Sequence, residues 1–386
     1  MRAYIKFEEL VKAMSFANTV LSDKSVDEKS RNFIFSIKED ECFLIGYSPI
    51  IFSRTELESV EDKEDIPENG WMFQVKASEL NKIVASFSNL SRTKVDMISL
   101  YDDGVKIGLN IHEEPINDAD AKLERDVEFF LEASPIFDKV LKEIELSSPE
   151  DYSGVPSGDL MMYTDSLFPI MSNDSSNSSA SKLNFTDDHV FVVTSFMSAF
   201  MENKLPDAMK NIVLTYSSAS FLKKLCEVAD GSVDLAKKDS IYLCVRAGNT
   251  EAFMKYNRVK INNKLHITKR QEAMSTGIVM DRMYLKDVLR RMGSMSSEGV
   301  ATVTEEGLEV ENSNFTQVIP INNSKGDVNG IKFKLTVSVL EKIILGRDDV
   351  FTGDVFMYFV KSARGYLIYM SDSTGVWFAD TQVVNG

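Results

Sequence analysis

The chain is 386 residues long, 44% apolar and 26% charged, enough for about two to four domains with substantial cores and unlike a disordered polymer. Its 43 basic and 59 acidic side chains leave a net charge of −16, which excludes binding nucleic acid or anionic membrane over the whole surface and confines any such contact to a segregated basic face. No apolar run reaches the ~18–20 residues of a membrane helix, MRAYIKFEEL has no apolar leader core, and Cys42, Cys226 and Cys244 form no CxxC pair, so a cytoplasmic protein without disulfide framework or zinc knuckle is expected.

Along the chain an apolar strand runs into a short amphipathic helix six times. The segments are RAYIKFEELVKAM, WMFQVKASELNKIVASF, VEFFLEASPIFDKVLKEI, NIVLTYSSASFLKKLCEV, TGIVMDRMYLKDVLRRM and IKFKLTVSVLEKIIL. Anchored on Leu10, Leu80, Phe137, Leu222, Leu285 and Leu340, each carries apolar residues three and four positions later, and all but the last carry one seven later, where Arg347 stands. That spacing is one buried helical stripe. Each helix is followed by two strands around a turn centred on Glu39-Asp40, Asp103-Gly104, Asp187-Asp188, Gly248-Asn249, Glu306-Gly307 or Arg364-Gly365, residues that tolerate tight-hairpin geometry. The class is α+β, with helices covering one face of antiparallel sheets.

The third repeat is longer than the others. Its anchor and turn are separated by about 25 extra residues, which predicts an insert within 147–181 ending in the polar SNDSSNSSASK. Polar stretches around 112–126 and 260–271 separate pairs of repeats. The simplest parsing is three domains of two repeats each, 1–125, 126–265 and 266–386.

The position two after each anchor lies opposite the buried stripe. It holds Lys12, Lys82, Lys139, Lys224 and Lys342; the fifth repeat has Asp287 there, beside Lys286, Arg290 and Arg291, and Lys142 and Lys223 add to their own helices. Lysine opposite a buried stripe is ordinary for a solvated helix. The sharper expectation is a shared basic surface facing one polyanion, because lysine is a flexible point charge suited to sequence-independent phosphate contact.

Six such repeats over about 390 residues resemble the ring-shaped DNA sliding clamps, of the bacterial DNA polymerase III beta-subunit type, from MRAYIKFEELVKAM through GYLIYMSDSTGVWFADTQVV. The resemblance implies a DNA-clamp fold of three tandem domains and a head-to-tail homodimeric ring with helices lining a channel around double-stranded DNA. It also implies a tethered replicative DNA polymerase, a clamp-loader ATPase that opens the ring, and no catalytic activity, cofactor or metal. Partner peptides would dock between the second and third domains. The matching stretches, VFVVTSFMSAF and the C-terminal tail, put Thr194, Phe196, Met197, Val383 and Val384 there, although the family's usual charged and glycine residues after the threonine are missing. Core packing of Phe196 and Met197 is the competing reading.

Two readings of other classes stand beside this. A virion or assembly protein could use the same tandem repeats, and a metal-dependent nuclease could use the paired aspartates Asp102-Asp103, Asp187-Asp188 and Asp348-Asp349. Two of those pairs sit at hairpin turns, where aspartate is a turn residue. His112, His189 and His266 form no local metal motif, and neither phosphate-binding glycine loops nor a GxSxG elbow occur.

Overall fold

In every repeat a short strand runs without a linker into helical residues. The computed structural model describes residues 1–21, 31–57, 65–88, 90–117, 124–171, 182–193, 197–259, 274–337, 340, 353–362, 365–371 and 377–380. The first repeat is β1 (Arg2–Lys6), α1 (Phe7–Leu21), β2 (Asn32–Ile37), β3 (Cys42–Tyr47) and β4 (Ile51–Glu56). The second is β5 (Trp71–Lys76), α2 (Ala77–Phe87), β6 (Thr93–Asp102), β7 (Ile107–Pro115) and β8 (Arg125–Leu131), after which come β9 (Ala133–Ser134) and a short helix, α3 (Asp138–Ile144). The third is β10 (Ser153–Pro156), α4 (Ser157–Leu167), β11 (Lys182–Phe185), β12 (His189–Val193) and β13 (Met197–Glu202). The fourth is β14 (Ile212–Thr215), α5 (Tyr216–Val228), β15 (Ser232–Lys238), β16 (Tyr242–Ala247) and β17 (Thr250–Lys255). The fifth is β18 (Gly277–Asp281), α6 (Arg282–Gly293), β19 (Glu298–Val303), β20 (Leu308–Asn312) and β21 (Phe315–Ile319), with β22 (Asn323–Lys325) after it. In the sixth, β23 (Lys332–Thr336) precedes helical residues Val337 and Leu340, then β24 (Asp354–Ser362), β25 (Gly365–Ser371) and β26 (Trp377–Asp380).

The chain divides into two compact units, 1–158 with 220–256, and 159–219 with 257–386. The first holds a four-stranded sheet, β1-β6-β7-β8, and a nine-stranded sheet, β10-β15-β16-β17-β4-β3-β2-β5-β9. The second repeats the plan with β14-β11-β12-β13-β26-β25-β24-β18-β22 and β21-β20-β19-β23. Each nine-stranded sheet is continuous because the last strands of two different repeats pair antiparallel. In the first unit β4 meets β17, Thr55 opposite Thr250 and Phe52 opposite Phe253. In the second, β13 meets β26, Ser198 opposite Ala379.

The pleat of β3 decides which helix lies where. Cys42 and Leu44 join the core that holds Leu10, Ala13, Met14 and Ala17 of α1, whereas Phe43, Ile45 and Tyr47 point to the other face. Burying each large side chain of that stripe contributes about 1.5–3 kcal/mol. α1 approaches so closely that a Cβ on Gly46 would sit 2.7 Å from the Ala17 Cα, so glycine is needed there.

The third repeat differs from the sequence expectation. The helix anchored on Phe137 is α3, which packs Val140, Leu141 and Ile144 against Phe43, Ile45 and Phe52, on the face of the nine-stranded sheet opposite α1. Its carboxylate Glu143 accepts from Lys255 Nζ at 3.0 Å and from the Tyr47 hydroxyl at 3.1 Å. The apolar strand assigned to it from the sequence, VEFFL, is β8, which pairs with β7 and belongs to the second repeat, so a boundary at 125/126 cuts a strand from its own sheet. The true strand and helix of the third repeat, β10 and α4, lie inside the expected insert. With Leu160 as anchor the distance to Asp187 is 27 residues, within the range of the other repeats, and no insertion is needed. The stripe of α4 was illegible because Tyr163 and Thr164 fill it. The Tyr163 hydroxyl donates to Glu202 O at 2.9 Å and accepts from Lys204 N at 3.0 Å, so a polar group is satisfied inside the core.

Candidate nucleic-acid interface

In the first unit α1 and α2 are joined through their amides: Asn18 and Asn81 exchange two hydrogen bonds of 2.9 Å. Lys12 on α1 and Lys82 on α2 are exposed. Neither side chain forms a hydrogen bond or ion pair among the described residues, which leaves both ammonium groups available to an external anion.

α5 lies against α1, with the Phe16 and Phe221 rings 6.3 Å apart. This contact absorbs one expected cation. Lys224 donates to Ser15 O at 2.8 Å and to the Thr19 hydroxyl at 3.0 Å, and burial pushes its ammonium below the usual lysine range. It acts as a strut between two helices, half-buried rather than exposed like Lys12. Lys223 is half-buried and sits 3.9 Å from Glu227.

Lys139 and Lys142 are exposed, but on α3, across the sheet from α1. They cannot share a surface with Lys12, so their assignment is corrected. The error follows from anchoring on Phe137, which caps α3 and is 75% exposed.

In the second unit α6 ends with Arg290 and Arg291 exposed, Arg291 Nη1 donating to Gln317 Oε1 at 3.3 Å. Lys286 is only 4% exposed and faces inward with Arg282, on the same side as Leu285 and Leu289. It is no surface cation. α4 carries no lysine or arginine, and Met162 occupies the position two after its anchor, so the third repeat supplies no basic face. Among the described residues, the exposed cations on the repeat helices are therefore fewer than the sequence pattern suggested: Lys12 and Lys82 in one unit, Arg290 and Arg291 in the other. Lys342 lies outside the described residues.

Of the expected peptide pocket, Thr194, Phe196, Val383 and Val384 lie outside the described residues. Met197 opens β13 at the strand junction, opposite Asp380. The aspartate pairs behave as turn residues where they are described. Asp102 accepts from Gly104 N at 2.7 Å, and Asp187 from the Asn211 amide at 2.9 Å. Asp348-Asp349 lies outside the described residues. No cluster of three metal-ligating side chains occurs among the described residues. The three cysteines are buried, and burial pushes the Cys244 thiol up to about 12.

No protein-family model and no curated protein sequence matches the chain. Solved structures do. The chain is similar over 99% of its length to the whole DNA polymerase III beta subunit of Thermotoga maritima, with 13% identity and a TM-score of 0.75. The DNA polymerase sliding clamp from Caulobacter crescentus gives 13% identity, 99% and 100% coverage and a TM-score of 0.77. The DNA polymerase III subunit beta from Pseudomonas aeruginosa gives 14%, 98% and 99%, and 0.74. The chain has the DNA sliding-clamp fold.

Proposed function

We propose that the protein is a DNA polymerase processivity factor: a ring that encircles duplex DNA without reading its sequence and tethers the replicative polymerase. The observation that carries the reading is the match of the clamp fold along the entire chain rather than over one domain. In this reading the chain is a non-catalytic scaffold, it is opened and closed on DNA by a clamp-loading ATPase, and its three domains each hold two repeats, the first extending through Leu131.

The internal repeats support a head-to-tail homodimer and offer a template for its register. Two of the three possible junctions between domains are made within the chain, β4 with β17 and β13 with β26. The strands left over at the equivalent places are β8 and β21, each at the open edge of a four-stranded sheet. Carrying the observed registers over strand by strand sets Val127 opposite Gln317, Phe129 opposite Phe315 and Asp126 opposite Val318 of a second copy. The faces agree. Val127 and Phe129 pack toward the helix-side core, and Gln317 contacts Tyr284 and Arg291 of α6, so each pair projects to the same side of the joined sheet. A slip of one residue would oppose the two faces.

The test is topological. With a clamp-loading ATPase, the protein should remain on nicked circular plasmid through gel filtration and leave when one restriction cut makes the plasmid linear. Equal retention on both forms would refute encirclement.

A further inference from the structure

The junction that the chain makes inside its first unit is a template for the seam between two copies, and the comparison exposes a difference in chemistry. All four helices concerned begin directly after a strand: α1 at Phe7, α5 at Tyr216, α6 at Arg282 and α2 at Ala77. By the order of repeats, α6 of one copy and α2 of the next take the places of α1 and α5. Phe16, nine residues after the start of α1, corresponds to Arg291 of α6; matching the buried stripes Ala219, Leu222 and Cys226 of α5 and Ala77, Leu80 and Val84 of α2 puts Lys82 at the place of Lys224 and Glu79 at the place of Phe221. Where the internal junction sets the Lys224 ammonium 5.9 Å from the centre of the Phe16 ring, the seam brings the Lys82 ammonium against the Arg291 guanidinium, with Glu79 beside them. The Lys224 ammonium also lies 2.8 Å from Ser15 O, and Ser15 corresponds to Arg290. Lys82 therefore faces Arg290 and Arg291.

We infer that Lys82 of one copy and Arg290 and Arg291 of the next form an anion site that exists only in the assembled ring, that its ligand is the phosphate backbone of the encircled duplex, and that phosphate therefore tightens ring closure. The inference rests on the ring reading given above. The cations are not neutralised from within. Lys82 and Arg290 have no side-chain partner among the described residues, and Arg291 reaches only the neutral Gln317. The neighbouring acids are Glu79, which is paired with Lys76 at 3.3 Å, and Asp287, one turn before Arg291 on α6. Two carboxylates, one of them paired with Lys76, stand among three cations, and the like charges in excess oppose association across an exposed contact until an anion enters. A site split across two chains also differs from a basic patch on one surface: its occupancy is linked to assembly, so each stabilises the other.

The experiment is sedimentation of the full-length protein at constant ionic strength, alone, with inorganic tripolyphosphate, and with a 20-base-pair duplex. Phosphate in either form should tighten the dimer about tenfold, since two seams each relieve a surface-strength repulsion. Tightening by both probes identifies bare phosphate chemistry; tightening by the duplex alone identifies the DNA backbone. Lys82→Glu should tighten the dimer to a similar degree without any anion and abolish the response, and adding Arg290→Glu and Arg291→Glu to it should weaken the dimer again. A dimer indifferent to both anions and to Lys82→Glu overturns the seam site and leaves the ring standing. Absence of a dimer under every condition, Lys82→Glu included, overturns the ring with it.

Discussion

Glu251 is the residue on which the junction of β4 and β17 should depend most. It accepts from Arg54 Nε at 2.7 Å and Ser148 Oγ at 2.9 Å, and from the Tyr152 hydroxyl, so two strands and the segment that follows α3 meet at one carboxylate. The two charged side chains are 18% and 9% exposed. Glu251→Ala leaves the guanidinium largely buried with only Leu146 O and Ser148 Oγ as acceptors. Stranding one member of a buried pair costs roughly 3–5 kcal/mol, and the acceptors that remain place this case near 3 kcal/mol. Replacing both members, Arg54→Met with Glu251→Leu, removes the stranded charge and leaves the Tyr152 hydroxyl short of an acceptor, at about 1 kcal/mol. The chain has two tryptophans, and Trp71 lies on the same nine-stranded sheet, so urea unfolding followed by fluorescence in a Trp377→Phe background reports on this unit. A loss below about 1 kcal/mol for Glu251→Ala, or a double variant as unstable as the sum of its singles, would refute the reasoning.

Three further outcomes follow from the placement of charge and strand edges. Lys12→Glu with Arg290→Glu should sharply reduce retention on circular plasmid, whereas Lys139→Glu with Lys142→Glu, across the sheet on α3, should leave it unchanged; the same plasmid assay decides. In β21 the tight turn closes on the Asn312–Phe315 pair, so alternate N–H groups bond to β20 and that of Val318 points to the open edge. Val318→Pro should therefore keep the fold, read by circular dichroism, yet lower dimer affinity at least tenfold in sedimentation. His112 is held by the Asp126 carboxylate at 2.9 Å, which raises its pKa above the usual histidine value. Its contribution to stability is full below the unfolded value of about 6.5 and is lost as pH rises through the raised folded value. Asp126→Asn should lower the pKa of His112 measured by NMR, and an unchanged titration would remove the ion pair.

The sequence by itself determined the repeat. Apolar residues at helical spacing, followed by hairpins with Asp, Gly or Asn at their turns, place α1, α2, α5 and α6 correctly, because a helix that buries one stripe and a turn that needs unusual backbone angles both constrain residue type locally. Where the local signal had another cause, it misled. The segment around Phe137 has a helical stripe because α3 also buries one face, and no local pattern says which side of a sheet that face will meet. α4 was hidden by Tyr163 and Thr164: the Thr164 hydroxyl donates to Leu160 O one turn back in its own helix, whereas that of Tyr163 is satisfied by the backbone of Glu202, which only the folded chain brings within reach. The constant distance from anchor to turn was the signal that could have revealed it.

What only the tertiary structure decided is which cations are available. Lys12, Lys224 and Lys286 look alike in sequence, each near the outer side of an amphipathic helix. In the fold Lys12 is exposed, Lys224 bridges to α1, and Lys286 is buried beside Leu285 and Leu289. Helical periodicity fixes the angle at which a side chain leaves its own helix. Whether water, a second helix or a sheet stands at that angle depends on residues hundreds of positions away, and it is this that separates a binding surface from a structural contact.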